Sequence, residues 1–317
     1  MKQFLISKND AGQRLDKFLT KSVKQLPWTL MYKYIRIKRI KVNGKRAEKE
    51  QILNVGDTVE LYINDEFFGA VPEDEPFMRI EPKLNIVYED ENILLVDKPA
   101  GLICHEDEGE SFNTLINHIL AYLYKKGEYR PKSELSFVPA LCNRIDRNTG
   151  GIVIAAKNAE ALRIMNEKIK SRELEKYYMC MVHGRMEKMQ GRLTGWLFKD
   201  SDKNRVYISD KRQQGTREIV TEYKVTAEKG ERSMIEIRLI TGRTHQILAH
   251  MAHIGHPLVG DGKYGKNPKN GEIHEKGEYK YQALYSYKLK FDFKTDAGAL
   301  AYLDGEEFTV KNIPFHL

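Results

Sequence analysis

Apolar residues recur at helical spacing in some stretches of the chain and at alternate positions in others. In Arg14-Leu-Asp-Lys-Phe-Leu19, Leu15, Phe18 and Leu19 stand at i, i+3 and i+4, with Lys17, Lys21 and Lys24 away from that face. This predicts a short helix. After Pro27 a second helix is predicted from Thr29, with Leu30, Tyr34 and Ile37 on one face and Lys33, Arg36, Lys38 and Arg39 on others. The period then changes to two. Ile40-Lys-Val-Asn-Gly-Lys45 reads as a hairpin, because Asn-Gly accepts the positive φ angles of a tight turn, and Val55 to Ile63 adds an alternating strand. Further on, Ile86-Val-Tyr88 and Ile93-Leu-Leu-Val96 read as strands around an Asp90-Glu-Asn92 turn. Leu115, Ile119 and Tyr122 mark a helix from Thr114, and Leu162, Met165 and Ile169 a core-facing helix over Ala159 to Lys170. Thr216 to Leu239 predicts two or three strands, His245 to Ile254 an amphipathic helix ended by Gly255 and Pro257, and Gln282 to Phe293 a last strand.

Composition divides this pattern into domains. Residues 1–64 hold fourteen Lys and Arg against six Asp and Glu, a surplus of eight, while the rest of the chain is balanced to within one charge. A basic block of this kind is the footprint of a polyanion, nucleic acid first and an anionic membrane surface second. Residues 65–84 intersperse Pro72, Pro76 and Pro82 with six carboxylates and read as an acidic, proline-rich linker, a flexible tether between a first domain (1–64) and a second (85–317). The longest apolar run is far short of a membrane span, and the N-terminus is too short and polar for a signal peptide, so a cytoplasmic protein with no membrane association is expected. Cys104, Cys142 and Cys180 are widely spaced and suggest neither a disulfide framework nor a thiolate metal site.

The candidate chemistry centres on Cys142 to Lys157. There Asp146 lies between Arg144 and Arg147, ahead of a Gly150-Gly151 turn and the β-branched run Ile152 to Ile154. Nearby cations favour the ionised carboxylate, as a nucleophile or base requires. Taken alone, the stretch also fits a loop that Asp146 caps while the arginines are solvated.

Arg144-Ile-Asp146-Arg147-Asn-Thr149-Gly150-Gly151 resembles the catalytic motif of RluA-type pseudouridine synthases, His-Arg-Leu-Asp-x-x-Thr-Ser-Gly, with Asn143 at the His position, Ile145 at the Leu and Gly150 at the Ser. Two further motifs extend the resemblance. Lys176-Tyr-Tyr178-Met-Cys-Met-Val182-His-Gly184 is similar to the family's Lys-x-Tyr-x-Ala-x-Val-x-Gly. Thr241-Gly-Arg243-Thr-His245-Gln246-Ile-Leu248, followed by Gly255-His-Pro-Leu-Val-Gly-Asp261-Gly-Lys-Tyr264-Gly265, is similar to the family's Thr-Gly-Arg-x-His-Gln-Ile-Arg with its Gly-His-Pro sequel. The Lys98-Pro-Ala-Gly101 entry to the second domain matches as well. The first sixty residues, with Arg14-Leu-Asp16, a basic second helix and Val42-Asn-Gly44, resemble the S4 RNA-binding domain. A helix-turn-helix reading fits less well, because the second helix runs directly into an Asn-Gly hairpin.

The resemblance implies an α+β protein, a small S4-like domain of the α-L type followed by a catalytic domain on a mixed, largely antiparallel sheet. It implies isomerisation of uridine in structured RNA, of the 23S ribosomal type, by a monomer needing no cofactor or metal. Asp146 would act at the ribose or at the uracil ring, and Tyr178 would stack on the uracil and help remove the C5 proton. Arg144 would hold the target nucleotide out of its stack. Arg147, Arg243, His245 and Gln246, with Arg14, Lys33, Arg36, Lys38 and Arg39 of the first domain, would contact RNA. The arginine that pairs with the catalytic aspartate in relatives is Leu248 here. Two readings follow: an enzyme in which Arg243 or another nearby cation compensates, and an RNA-binding protein that keeps the fold without the chemistry.

Two other motifs are set aside. His245, His250, His253 and His256 lack interleaved ligands at a standard zinc spacing and sit on an ordinary amphipathic pattern. Gly260-x-Gly262-x-x-Gly265 matches a dinucleotide fingerprint in letters only, since the loop-like Asn267 to Gly271 follows it where a helix should.

Overall fold

The computed structural model describes residues 1–69, 75–265 and 279–317. Its first unit comprises β1 (Lys2–Leu5), α1 (Leu15–Ser22), α2 (Trp28–Arg36), β2 (Ile40–Val42), β3 (Lys45–Arg46) and β4 (Thr58–Leu61). The four strands form a sheet in the order β1-β4-β2-β3. Leu15, Phe18 and Leu19 are wholly buried, as their spacing requires. In α2 the buried stripe is Met31, Tyr34 and Ile35, not the predicted Leu30, Tyr34 and Ile37; Ile37 follows the helix and is exposed. Asn43 and Gly44 both have positive φ, 52° and 73°, the backbone of the expected two-residue hairpin turn.

Residues 65–69 and 75–84 are not the loose spacer that the prolines suggest. Phe67 and Phe68 pack on the first core, while Phe77 and Ile80 are buried in the second, beside α3 (Leu115–Lys126). Pro72, Glu73 and Asp74 lie outside the described residues. Nor are the two units merely tethered. Asn9 bonds Glu134 and the Ala159 amide, Ser136 bridges Asp10 and Gln13, and Arg163 donates to the Ala11 carbonyl at 3.0 Å.

The second unit adds β5 (Ile86–Glu89), β6 (Ile93–Lys98), β7 (Ala140–Leu141), β8 (Gly150–Ala156), α4 (Ala159–Lys170), β9 (Leu174–His183), β10 (Gln190–Asp200), β11 (Arg205–Ser209), β12 (Arg217–Lys229), β13 (Arg232–Leu239), α5 (Gln246–His253), β14 (Leu284–Phe291) and β15 (Glu307–Thr309). Thr114 caps α3 and Asn158 caps α4, each accepting an amide from the first turn; Gly127, in the left-handed region, ends α3. Nine strands follow one path, β11-β10-β12-β13-β9-β14-β8-β6-β5, with β15 on β14 and β7 on β8. The fold is mixed α+β, and every pairing in this sheet is antiparallel except β14 with β8.

β6 and β8 are unbroken apolar runs because both of their faces are covered. Leu94, Val96 and Val153 face the core beneath α3 and α5; Ile93, Leu95, Ile152 and Ile154 face α4. The parallel contact is made at Gly150 and Gly151, opposite Tyr285 and Ser286. Gly151 has φ 114°, and a Cβ there would lie 2.2 Å from the Ser286 carbonyl oxygen, so a side chain is excluded.

α5 is fastened to the sheet by His250, whose Nδ1 meets the Thr221 hydroxyl at 3.0 Å. Burial lowers His250 to about 4 from the usual 6.5. The unfolded chain therefore binds a proton between those values that the fold refuses. Stability should be complete above pH 6.5 and decline as pH falls toward 4; urea midpoints at pH 7 and 5 check this, and His250→Gln should lessen the difference.

Candidate active site

The loop carrying Asp146 is held mainly through its backbone. The Asn143 side-chain oxygen accepts the Ile154 amide at 2.8 Å, closing the loop onto β8. Asn143 therefore ties the loop to β8 at the position where the family motif has His. The Arg147 carbonyl accepts from the Gly101 amide at 2.7 Å and from the Lys98 ammonium at 3.1 Å. Lys98 is wholly buried and also donates to the carbonyls of Pro99 and Leu102. Burial lowers it to about 8, against the pull of Cys104, Asp146 and Asp97. The Cys104 thiol donates to the Ile145 carbonyl, and the Gln282 amide to the Thr149 hydroxyl.

This support leaves Asp146, half-buried, at the meeting of two cavities. The smaller, about 300 Å³, is lined by Tyr178, Lys176, Arg144, Arg243, His245 and Leu248 among others. The larger, about 1100 Å³, is open and adds His105, Arg147, Asp261 and Lys263. Tyr178 is buried on β9, between Ile237 of β13 and Ser286 of β14. Burial pushes its phenol up to about 12, a hydrogen bond with Ser286 opposes this, and the charge of Asp146 adds to it. Tyr178 is accordingly a neutral phenol within electrostatic range of Asp146.

His245 caps α5 with φ 51° and shares a 3.0 Å hydrogen bond through Nδ1 with the Tyr264 hydroxyl, which accepts the Val206 amide. Burial lowers its pKa, and Asp146 is the strongest of the groups that oppose this. Lys263 is likewise lowered by burial and by Arg205, and raised by Asp146. Among the cations, Lys263 is in electrostatic range of Asp146 and Arg144 and Arg243 line the same cavities, whereas Leu248 is 2 % exposed and supplies no charge.

Gln246 does not face RNA, contrary to its expected role. It is 2 % exposed; its oxygen accepts from the Thr241 hydroxyl and the Arg243 amide, and its amide donates to the Val220 carbonyl and the Thr221 hydroxyl. It locks α5 to β12. Arg14 is also diverted, its guanidinium forking onto the buried Asp16 at 3.1 and 2.7 Å. Arg147 reaches the cleft but pairs with Asp107 at 2.9 Å. Arg144, Arg243, Lys33, Arg36, Lys38 and Arg39 are exposed, and none of them pairs with a carboxylate among the described residues. Lys33, Arg36, Lys38 and Arg39 lie on the first unit, away from the cavities. The four histidines of the third motif take separate partners, His253 bonding Asp210 and His256 the His183 carbonyl. Residues 267–271, the loop after the glycine triplet, lie outside the described residues.

The family model for RNA pseudouridylate synthase matches residues 92–253, which include the Asp146 and Tyr178 motifs and the Thr241 to Leu248 stretch but neither the Gly255 to Gly265 sequel nor the first unit. An RNA pseudouridine synthase from Mycoplasma genitalium is 33% identical over 297 residues, covering 91% of this chain and 88% of its own. The chain belongs to the RNA pseudouridylate synthase family. It is an RNA pseudouridine synthase, an isomerase. A Buchnera aphidicola relative named ribosomal large subunit pseudouridine synthase C is 30% identical over 90% of this chain and 88% of its own. In fold, the synthase is similar to human RNA pseudouridylate synthase domain containing 4, with TM-score 0.56 and 21% identity over 72% of this chain and 88% of that one.

One departure from the family motif has a local cause. At Gly150, where relatives carry Ser, a Cβ would lie 2.3 Å from the ring of Tyr285, whose hydroxyl donates to the buried Asp97 at 2.6 Å. Restoring the family residue should therefore harm this synthase. Gly150→Ser is expected to cost about 1–3 kcal/mol in urea unfolding, and a value within about 0.5 kcal/mol of the parent would contradict the assignment.

The sequence reading did not assign Lys98, Lys176, Asp261, Lys263, Tyr264 or Gln282 to the site. The motif letters around Lys98, Lys176, Asp261 and Tyr264 were visible, but not that they converge on one loop and cleft. For Lys263 and Gln282 nothing in the sequence pointed to the site.

Proposed function

We propose that this synthase isomerises uridine in large-subunit ribosomal RNA, with Asp146 as catalytic carboxylate, Tyr178 against the uracil, and residues 1–64 as an S4-like unit that holds the RNA. The observation that carries the reading is the position of Asp146 between a small chamber beside Tyr178 and a wide cleft bearing Arg144, Arg147 and Lys263. A flipped uracil suits the chamber, and the cleft suits the flanking phosphates. The reaction breaks the C1′–N1 bond, turns the base and forms C1′–C5; the C5 hydrogen leaves as a proton and N1 gains one. Tyr178, a neutral phenol, stacks on the ring, and Arg144 keeps the nucleotide extruded. Arg243 and Lys263 supply the positive surroundings that Leu248 does not. The name of the Buchnera relative supports ribosomal RNA as the substrate. The synthase acts in the cytoplasm as a monomer.

The test is release of tritium from RNA labelled at uridine C5. Large-subunit ribosomal RNA should release label and small-subunit RNA should not; release from small-subunit RNA alone would overturn the substrate assignment.

A further inference from the structure

Trp28 opens α2 and is 52 % exposed, and Arg36 at the other end of the same ridge is exposed too. Tyr32 lies one turn from each, so the three form an i, i+4, i+8 line beside the buried stripe. The indole and the Tyr32 ring meet edge to face with centroids 5.6 Å apart. Two ammonium groups from outside the helix stand by these rings, Lys17 of α1 at 5.7 Å from the Trp28 centroid and Lys49 at 5.4 Å from that of Tyr32. Two carboxylates near these rings are engaged, Asp16 by Arg14 and Glu50 by Arg14 and Lys49. Leaving an indole in water forgoes its burial, and the fold gains nothing evident in return.

We propose that Trp28 and Tyr32 form a stacking platform for unpaired bases of RNA, with Lys17, Lys33, Arg36 and Lys49 taking the adjoining phosphates. Aromatic faces among cations are what single-stranded nucleic acid requires: every base has a π-face, and every linkage a negative charge. Paired bases in an A-form helix do not offer those faces, so the platform selects loops, bulges and ends. The inference rests on residues 1–64 holding RNA, but it assigns affinity to two rings where that reading needs only charge.

The chain has two tryptophans, so Trp196→Phe leaves Trp28 as the sole indole of the full-length protein. A single-stranded adenylate oligomer of about twelve nucleotides should quench it saturably, and the matching duplex should not. Trp28→Ala should weaken oligomer binding about tenfold or more, while Trp28→Phe keeps most of it. Both variants should keep the parent's melting temperature. In the tritium assay Trp28→Ala should raise KM and leave kcat unchanged. Equal affinity of Trp28→Ala and parent would overturn the platform, as would equal quenching by duplex, or a response to phosphatidylglycerol vesicles and not to RNA. If label is not released yet single strands quench Trp28, the catalytic reading fails and the platform stands. If Lys17→Ala and Lys33→Ala weaken binding and Trp28→Ala does not, charge alone holds the RNA.

Discussion

Asp146→Ala is expected to lower tritium release from uridine-labelled RNA by at least about a thousandfold, the scale of losing a positioned catalytic group. The fold should survive the change. The loop is held by the Lys98 ammonium, the Gly101 amide, the Cys104 thiol, the Asn143 carbonyl oxygen and the Gln282 amide, none of which bonds the Asp146 carboxylate. The thermal midpoint and RNA affinity should therefore stay near those of the parent. Asp146→Asn keeps the shape and removes the charge; the same loss in both variants would assign the effect to the carboxylate. Activity within tenfold of the parent would sink its catalytic role and move attention to another acid in the cleft, with Asp261 the first to examine.

Gly151→Ala is expected to destabilise the protein by about 4 kcal/mol or more and to abolish activity with it. Two costs coincide. At φ 114° an alanine is strained by about 1–3 kcal/mol. Its methyl would also sit 2.2 Å from a backbone oxygen, which has no rotamer through which to yield. β14 must then shift away from β8 and toward β9, disturbing the Ser286–Tyr178 pairing on its other edge. Urea unfolding measures the first effect and tritium release the second. A variant as stable as the parent would mean that β14 can shift without loss, and the parallel contact would not be what sets Tyr178.

Much of the fold was legible because its elements are locally written. The helix over Ala159 to Lys170 was read to its ends from the spacing of Leu162, Met165 and Ile169, and in the structure the Asn158 cap fixes its start. The strands Gln190–Asp200 and Arg205–Ser209 were not read, because their burial alternates weakly and their pairing depends on partners far along the chain. β1 and β15, short and partly exposed, were missed for the same reason. In the candidate site, Asp146 and Tyr178 were singled out by their motifs, and the fold sets both along one cavity. Gln246 was misjudged, because motif letters do not say whether an amide points outward or into Thr241, Thr221 and Val220. The docking of the first unit was hidden too, since Asn9, Gln13, Glu134 and Ser136 are ordinary surface residue types until the fold brings them together.

The central place of β14 bears on how the molecule comes into being. Asp146 leads into β8 and Tyr178 belongs to β9, and in the sheet these two strands are separated by a strand that begins only at Leu284. During synthesis the preceding strands can pair only as two half-sheets, each holding one of the two residues. The seam closes when residues 284–291 leave the ribosome, so the pairing of greatest sequence separation is also the one that completes the site. A chain that has not yet reached Leu284 therefore holds Asp146 and Tyr178 in separate half-sheets.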